Sequence, residues 1–148
     1  MKPTRSCEVY IDGASHGNPG PAGVGVVFMP AHGHPAKPVR QFSAYLGETT
    51  NNVAEYLALV YALQEALQAG YTGVTVKTDS ELLQRQINGQ YRVKDAQLRV
   101  LHDLARHLIK GFRSFAIAHI PREDNRLADR LAGQAVTRRV PADLFTAL

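Results

Sequence analysis

The sequence predicts an α/β fold (α+β in some schemes) built on a mixed β-sheet, and three observations support this prediction. Segments 9–11, 23–28 and 39–46 are apolar or alternating and are joined by short connections, which is typical of an antiparallel meander. Two further strand-like segments, 73–78 and 112–120, each follow a helical segment. A strand–helix–strand order favours a parallel crossover, so antiparallel and parallel pairs are expected in one sheet.

Capping residues and glycines delimit the predicted helices. The polar segment Glu48–Asn52 is rich in capping residues and leads into a helix at 52–69, which stops at Gly70. This helix is apolar on most of its faces, and that pattern indicates burial on several sides. Further helices are predicted at 81–88, 95–110 and 126–137.

Length and composition indicate one globular domain. The 148 residues suffice for a full core, and we assign residues 1–148 to a single domain, in which 138–148 is a tail of unclear structure. The single cysteine, Cys7, excludes an intramolecular disulfide and fits a reducing compartment. No segment is typical of a membrane span or a secretory leader, so we expect a cytoplasmic protein without a membrane partner.

The charge is unevenly distributed along the chain. Residues 1–80 contain five Lys/Arg and six Asp/Glu, a net of −1, whereas residues 81–148 contain twelve and seven, a net of +5. An acidic half and a basic half are consistent with a carboxylate site that faces a polyanion held by basic residues. Charge alone is equally compatible with an ordinary solvated surface.

Four carboxylates recur at the ends of predicted elements. Asp12 and Asp79 end the first and fourth strands, and Glu55 and Asp129 fall in the first turns of two helices. Each has an ordinary interpretation, because Asp-Gly is common in turns and acidic residues are favoured near helix N-termini. Asp12 and Asp79 would nevertheless lie side by side, since the carboxyl ends of neighbouring parallel strands meet at one edge of the sheet.

A cluster of like charges is unfavourable unless a cation balances it. Hard oxygen ligands without cysteine or histidine suit Mg²⁺ or Mn²⁺. Two such ions about 3.5–4 Å apart can activate a water and stabilise the leaving oxygen in phosphodiester cleavage. The spacing of the carboxylates therefore leads to the hypothesis of a two-metal nuclease.

Four motifs, spread in order over roughly residues 7 to 135, resemble the type 1 ribonuclease H family. They are DGASHGNPGPAGVG, TTNNVAEYLALVYAL, TDSELLQRQING and HIPREDNRLADRLA. Four co-linear motifs are far more specific than any one alone. The resemblance implies a five-stranded mixed sheet of order 3-2-1-4-5 with flanking helices. It also implies hydrolysis of the RNA strand of RNA/DNA hybrids to 5′-phosphate and 3′-hydroxyl products.

The resemblance assigns roles to the four carboxylates. Asp12, Glu55, Asp79 and Asp129 match the family's metal-binding and catalytic residues, which hold two Mg²⁺ ions with substrate, and Mn²⁺ is a possible substitute. Asp12 and Asp79 would provide the most critical metal oxygens. Glu55 would hold the ion on the leaving-group side, and Asp129 the ion that carries the attacking water.

The resemblance also assigns substrate contacts to four polar residues. Asn18 matches a residue that reads the minor groove of the hybrid, and Asn51 and Asn52 match others near the scissile phosphate. Short amides can both donate to and accept from the 2′-hydroxyl groups that distinguish RNA from DNA. Thr50 matches a residue that contacts a phosphate of the DNA strand.

The chain departs from the family pattern in two places. Longer members carry a basic helix-and-loop insertion after the second helix, whereas only residues 90–94 join the helices here. Many members have a catalytic histidine in a loop before the last carboxylate, and His119 lies ten residues before Asp129. The count alone fits that histidine, but His119 also falls at the end of the fifth strand, on the face of Phe115 and Ile117, where we expect a structural role.

Two other functions are compatible with such a scaffold. One is a non-catalytic module that binds RNA/DNA hybrids, which the presence of all four carboxylates disfavours. The other is a strand-transferring or DNA-cleaving enzyme of the wider superfamily, but such enzymes usually carry additional nucleic-acid-binding domains. We expect a monomeric ribonuclease H whose partner is the RNA/DNA hybrid.

Overall fold

The computed structural model describes residues 5–30, 37–141 and 145–147 and contains six strands and four helices in this part of the chain. The strands are β1 (Ser6–Ser15), β2 (Gly20–Pro30), β3 (Arg40–Thr49), β4 (Gly73–Thr78), β5 (Ser114–His119) and β6 (Phe145–Ala147). The helices are α1 (Asn51–Gln68), α2 (Glu81–Ile87), α3 (Ala96–Ile109) and α4 (Arg126–Arg138), and a short 3₁₀ turn, Arg122–Asp124, precedes α4.

The sheet has the order β5-β4-β1-β2-β3-β6. The strands β1, β2 and β3 form an antiparallel meander, and β4 pairs in parallel with both β1 and β5. The expected mixed sheet of order 3-2-1-4-5 is therefore confirmed. Because the crossovers return β4 and β5 to the same sheet, the carboxyl ends of β1, β4 and β5 lie on one side of the molecule.

The sixth strand lies in the segment 138–148, whose structure the sequence left unclear. Phe145–Ala147 pairs antiparallel with Arg40–Phe42 and covers part of the β3 edge. The chain reaches this edge after Val140, whose carbonyl accepts a hydrogen bond from the backbone N–H of Tyr45 at 2.8 Å. A strand of three residues has too little periodicity to be recognised, and its pairing depends on a neighbouring edge that lies a hundred residues earlier in the chain.

The two faces of β2 carry the two parts of the core. Val26 and Phe28 are fully buried in the main hydrophobic cluster, which includes most of the apolar residues of α1. Val27, between them, packs on the opposite face with Ala128 and Leu131 of α4. The period of two along a strand thus separates a layer formed by α1, α2 and α3 from a layer formed by α4.

The helix α1 is surrounded on several sides, as its apolar pattern predicts. Its buried positions include Tyr56, Leu59 and Leu63, each of which is at most 1% exposed to solvent. The helix packs against β1, β2 and α3. Thr50 caps its N-terminus, and Gly70, with a φ of 85°, follows its C-terminus. A helix held in this way is a rigid support for any side chain that it directs toward the end of β1.

No helix in the described ranges is long and apolar enough to cross a membrane. The assignment of residues 1–148 to one domain stays a prediction.

The close contact between β2 and α4 leads to a test of the packing. A methyl group at Gly25 would lie 2.1 Å from the carbonyl oxygen of Ala128 and 2.9 Å from Cβ of Leu131. We therefore expect Gly25→Ala to lower the free energy of unfolding by about 1–3 kcal/mol or more, as overpacking does. Denaturant unfolding monitored by circular dichroism measures this change.

Gly133→Ala is the matched control for this substitution. Gly133 lies within α4, and a methyl group there would have no described atom within 4 Å apart from its chain neighbours and the nearby backbone of its own helix. Alanine favours a helix over glycine, so the control should leave stability unchanged or raise it by up to about 1 kcal/mol. An equal loss of unfolding free energy in Gly25→Ala and Gly133→Ala would contradict the tight packing of α4 on β2.

Candidate active site

Asp12 and Asp79 lie side by side where the pairing of β1 and β4 ends. The parallel register runs from Ser6 opposite Gly73 to Ile11 opposite Thr78, and the two aspartates are the next residues in the chain, Asp12 within β1 and Asp79 directly after β4. The expectation that Asp12 ends its strand is wrong, because β1 continues to Ser15 and Asp12 lies opposite Gly25 of β2. Asp12 is therefore held by an antiparallel neighbour on one side and faces the end of β4 on the other.

Glu55 reaches the same place from α1. Its carboxylate oxygen Oε1 accepts a hydrogen bond of 3.0 Å from the backbone N–H of Gly13. Because α1 begins at Asn51, Glu55 lies in the second turn of the helix and not in the first turn that the sequence predicted. One oxygen from each of Asp12, Glu55 and Asp79 lies within 4.8 Å of the others.

The close approach of β1 to α1 requires the glycine at position 13. A methyl group on Gly13 would lie 2.2 Å from the carbonyl carbon of Ala54 and 2.4 Å from the backbone nitrogen of Glu55. Any side chain here would push the helix away from the strand. Gly13 therefore sets the distance between Glu55 and Asp12.

Asp129 lies beside this three-carboxylate group and not within it. It occupies the first turn of α4, as predicted, and lines a cavity of about 110 Å³ together with Asp12, Glu55 and Asp79. Its side chain is 41% exposed, and Nη2 of Arg122 lies 3.6 Å from its Oδ1. The structure thus brings all four predicted carboxylates to one cavity, with Asp129 at its solvent side.

Burial and mutual repulsion perturb the titration of this cluster. Asp12 and Glu55 are 5% and 4% exposed. Burial, and then the charges of Glu55 and Asp79, raise the pKa of Asp12. Burial also raises the pKa of Glu55, although the hydrogen bond from Gly13 acts in the opposite direction. The protein without metal therefore favours protons in the cluster at a pH where isolated carboxyls are ionised.

The donor set fits a hard divalent cation. The Oε2 atom of Glu55 is buried and has no hydrogen-bond partner among the described residues. A buried carboxylate oxygen left in this way is costly unless a proton or a cation satisfies it. Three carboxylates with oxygens this close together, and no sulfur or imidazole among them, match the ligands that Mg²⁺ and Mn²⁺ prefer.

The predicted substrate residues Asn18 and Asn51 contact each other beside the cavity. Oδ1 of Asn18 accepts a hydrogen bond of 3.0 Å from the backbone N–H of Asn51. Oδ1 of Asn51 in turn accepts from the backbone N–H of Ser15 at 3.3 Å. These bonds use the acceptor oxygens of both amides and orient their NH₂ groups, which are the donors suited to hydroxyl or base oxygens.

Thr50 and Asn52 flank this pair at the start of α1. The Thr50 hydroxyl oxygen accepts a hydrogen bond of 3.2 Å from the backbone N–H of Val53 and so caps the helix. Its hydroxyl proton is still a donor, so capping is compatible with a phosphate contact. Asn52 is exposed in the first turn. The substrate roles of all four residues stay predictions.

His119 is the last residue of β5, opposite Thr78 of β4, and this confirms its predicted place at a strand end. Ile117 on the same face is buried and Phe115 is half-buried, whereas His119 itself is exposed. The side chain is therefore not part of the core. Its role in the reaction stays a prediction.

Asn125 is a site residue that the sequence did not reveal. It precedes α4 and would be read as a helix cap, yet no capping hydrogen bond from its side chain is found in the described part of the chain. The side chain is buried to 1% exposure and donates instead to the carbonyl of Ile11 and to Asp79. Its only sequence signal, an asparagine before a helix, is identical to that of an ordinary cap.

The strand order and the acidic cavity define a class of mixed α/β proteins with a carboxylate site at the ends of their central strands. A family model described as "Reverse transcriptase-like" matches residues 10–135. Ribonuclease HI of Halobacterium salinarum is 40% identical over 138 residues, which cover 92% of this chain and 68% of that protein. The chain belongs to the type 1 ribonuclease H family, a family of enzymes.

Solved structures agree with this assignment. RNase H1 from the halophilic archaeon Halobacterium salinarum superimposes with a TM-score of 0.86 at 39% identity, over 90% of this chain and 98% of that one. LC11-RNase H1 in complex with an RNA/DNA hybrid gives a TM-score of 0.82 at 39% identity, over 89% and 97%. The bifunctional protein Rv2228c of Mycobacterium tuberculosis is 39% identical over 128 residues, but the chain covers only 35% of its length.

The crowded carboxylates lead to a prediction for the metal-free protein. Asp12→Asn removes one buried charge, so we expect a higher melting temperature than wild type in EDTA. The raised pKa of Asp12 means that the wild type loses stability as pH rises above the ordinary carboxyl pKa. The gain should therefore be small near about pH 4 and large near about pH 8. Thermal unfolding at several pH values measures it.

Asp103→Asn is the control, because it makes the same charge change on an 80%-exposed side chain of α3. Its melting temperature should stay close to that of wild type at every pH. A lower melting temperature for Asp12→Asn in EDTA would show that the carboxylates do not destabilise the metal-free fold.

Proposed function

We propose that this chain is a divalent-metal-dependent endonuclease that hydrolyses the RNA strand of RNA/DNA hybrids. The observation that carries the proposal is the group formed by buried Asp12, buried Glu55 and half-buried Asp79, which have one oxygen each within 4.8 Å of the others. The complex of the similar LC11-RNase H1 with an RNA/DNA hybrid supports the choice of substrate.

The proposed reaction is a hydrolysis at a phosphodiester of the RNA strand. The oxygen of a water molecule bonds to phosphorus while the bond from phosphorus to the 3′ oxygen breaks. The departing 3′ oxygen takes up a proton and becomes a hydroxyl, and the attacking oxygen remains on the 5′-phosphate. Two bound Mg²⁺ ions, or Mn²⁺ in their place, would supply activation of the water and stabilisation of the leaving oxygen.

The four carboxylates have three roles in this proposal. Asp12 and Asp79, adjacent at the end of the β1–β4 ladder, would provide the most critical metal oxygens. Glu55, fixed by Gly13, would hold the ion on the leaving-group side. Asp129, at the solvent side of the cavity, would hold the ion on the side of the attacking water, and its exposure is consistent with that place.

Recognition of the RNA strand is proposed to fall on the amides beside the cavity. Asn51 lines the cavity of the carboxylates, and the hydrogen bond from its backbone N–H to Asn18 holds the two residues together there. Asn52 and Thr50 extend this polar surface along the start of α1. Donors at this place suit 2′-hydroxyl groups and phosphate oxygens, which are the features that separate a hybrid from a DNA duplex.

Phosphates further along the hybrid are proposed to meet the basic segment 85–110. This segment contains six Lys/Arg and two Asp/Glu, a net of +4. The segment begins near the end of α2, and the start of this helix adjoins Asp79. Because α2 has seven residues, the segment begins about 10 Å from the carboxylates, measured along the helix. A cleft of about 500 Å³ opens here and is lined by Arg92, Arg99 and Arg106 among others.

The test of the proposal uses one labelled RNA strand in three forms: alone, paired with RNA and paired with DNA. Each form is incubated with Mg²⁺, Mn²⁺ or EDTA, and the ends of the products are identified. We expect cleavage of the DNA-paired strand with either metal and none in EDTA. Binding of the hybrid in EDTA with no cleavage under any condition would instead favour a non-catalytic binding module.

Asp79→Asn should abolish most of this activity while the fold is retained. Loss of a negative charge from the centre of the cluster weakens the binding of the metals, and we expect at least about a hundredfold lower hydrolysis, about 3 kcal/mol in the barrier. Initial rates on the hybrid and circular dichroism measure the two properties. Asp103→Asn again serves as the control for the fold. A rate within about tenfold of wild type would contradict the proposed roles of the carboxylates.

His119→Ala separates a catalytic from a structural histidine. General acid–base help is worth about 10²–10⁴-fold, and we expect less than about a tenfold loss of turnover because His119 belongs to a strand and not to a mobile loop. Its exposure indicates that the loss of stability will be small. Turnover, hybrid affinity and melting temperature are compared with wild type. A hundredfold fall in turnover alone would assign the catalytic role to His119.

A further inference from the structure

We propose that Asn125 is a positioning residue that orients the Asp79 carboxylate for metal binding and joins the elements that carry three of the four carboxylates. This inference rests on the proposed metal-dependent function. It starts from the side chain of Asn125, which is 1% exposed and lies between β1, β4 and the start of α4.

Both hydrogens of the Asn125 amide have acceptors at the site. Nδ2 donates to the carbonyl oxygen of Ile11 at 2.8 Å and to Oδ2 of Asp79 at 3.2 Å. Ile11 is the residue before Asp12 and the last residue of β1 in register with β4. The amide therefore bonds to the backbone that carries one carboxylate and to the oxygen of the other.

The backbone of Asn125 adds the connection to Asp129. Its carbonyl oxygen accepts a hydrogen bond of 3.0 Å from the N–H of Asp129, in the first turn of α4. Its own N–H donates to the carbonyl of Arg122 at 3.0 Å. One residue thus fixes the start of α4 relative to β1 and β4, whereas Glu55 is fixed separately by Gly13.

An amide is suited to this position for an electrostatic reason. Asp79 must accept a hydrogen bond that sets the rotation of its carboxylate, but it must also keep its negative charge for the cation. A lysine or arginine would satisfy the first need and offset the second, because its charge competes with the metal. A neutral NH₂ group orients the carboxylate without neutralising it, as partners behind metal ligands commonly do.

The experiment measures metal affinity directly, in the absence of substrate. Mn²⁺ is titrated calorimetrically into wild type, Asn125→Ala and Gln86→Leu, and hybrid cleavage is measured against Mg²⁺ concentration for the same proteins. We expect Asn125→Ala to weaken Mn²⁺ binding by about 10–100-fold and to shift the Mg²⁺ midpoint in the same direction. Part of the lost turnover should return at high Mg²⁺, because the carboxylates themselves remain.

Gln86→Leu is the matched control for the loss of a buried amide. Gln86 is 5% exposed, accepts from the Tyr56 hydroxyl at 2.6 Å and donates to the Arg92 carbonyl at 3.1 Å, at the end of α2 remote from Asp79. It should lower the melting temperature without changing the affinity for Mn²⁺. If Asn125 had a purely structural role, Asn125→Ala and Gln86→Leu would both lower the melting temperature and both leave the affinity for Mn²⁺ unchanged. An affinity of Asn125→Ala for Mn²⁺ within about threefold of wild type would therefore overturn the proposal.

A double substitution tests whether Asn125 acts through Asp79. In an Asp79→Asn background, Asn125→Ala should have little further effect on Mn²⁺ affinity, because the carboxylate that it orients is gone. Full additivity would overturn the proposed route. Should Asn125→Ala fail to fold, Asn125→Ser, which keeps one donor, is judged by the same criteria. Absence of hybrid cleavage by wild type would overturn the proposed function, whereas the Mn²⁺ titration would still decide the role of Asn125.

Discussion

The repulsion between three carboxylates in one buried space is the constraint on which the rest of the site depends. Asp12, Glu55 and Asp79 place oxygens within 4.8 Å of one another, and two of the three side chains are almost fully buried. Folding alone does not favour such an arrangement, since the charges of Asp12 and Glu55 are desolvated and each faces others of the same sign. The surrounding structure therefore has to hold the cluster together until a cation or protons balance it.

The support for the cluster comes from backbone that cannot move independently. Asp12 and Asp79 follow directly after the last paired residues of two central strands, so their spacing is set by the parallel ladder. Glu55 is brought in by a buried helix that contacts β1 through Gly13, where no side chain fits. Much of the large buried core thus acts on the function indirectly, because the stability that it supplies offsets the electrostatic repulsion within the site.

Charge is distributed so that attraction of a polyanion does not neutralise the site. The carboxylates lie within β1, directly after β4, in the second turn of α1 and in the first turn of α4, whereas much of the positive charge lies on the segment 85–110, which begins near the end of α2. In the described residues the close cation at the cavity is Arg122, which is 79% exposed and 3.6 Å from Asp129. This separation supports the proposal that a nucleic acid is held by its phosphates at one place while divalent ions occupy another.

Local patterns in the sequence determined the strands of the meander, the four helices and the identity of the four carboxylates. Each of these depends on neighbours within a few residues, as in the alternation of Val9 and Ile11 or the glycine after α1. Only the tertiary structure decided that β1 continues past Asp12, that Glu55 lies in the second helical turn and that the tail adds β6. Only the tertiary structure distinguished Asn125 from an ordinary helix cap, because its hydrogen bond to Ile11 joins residues 114 positions apart in the chain. Periodicity reports which face of an element is buried, but the partner across a long loop depends on how all the elements pack together.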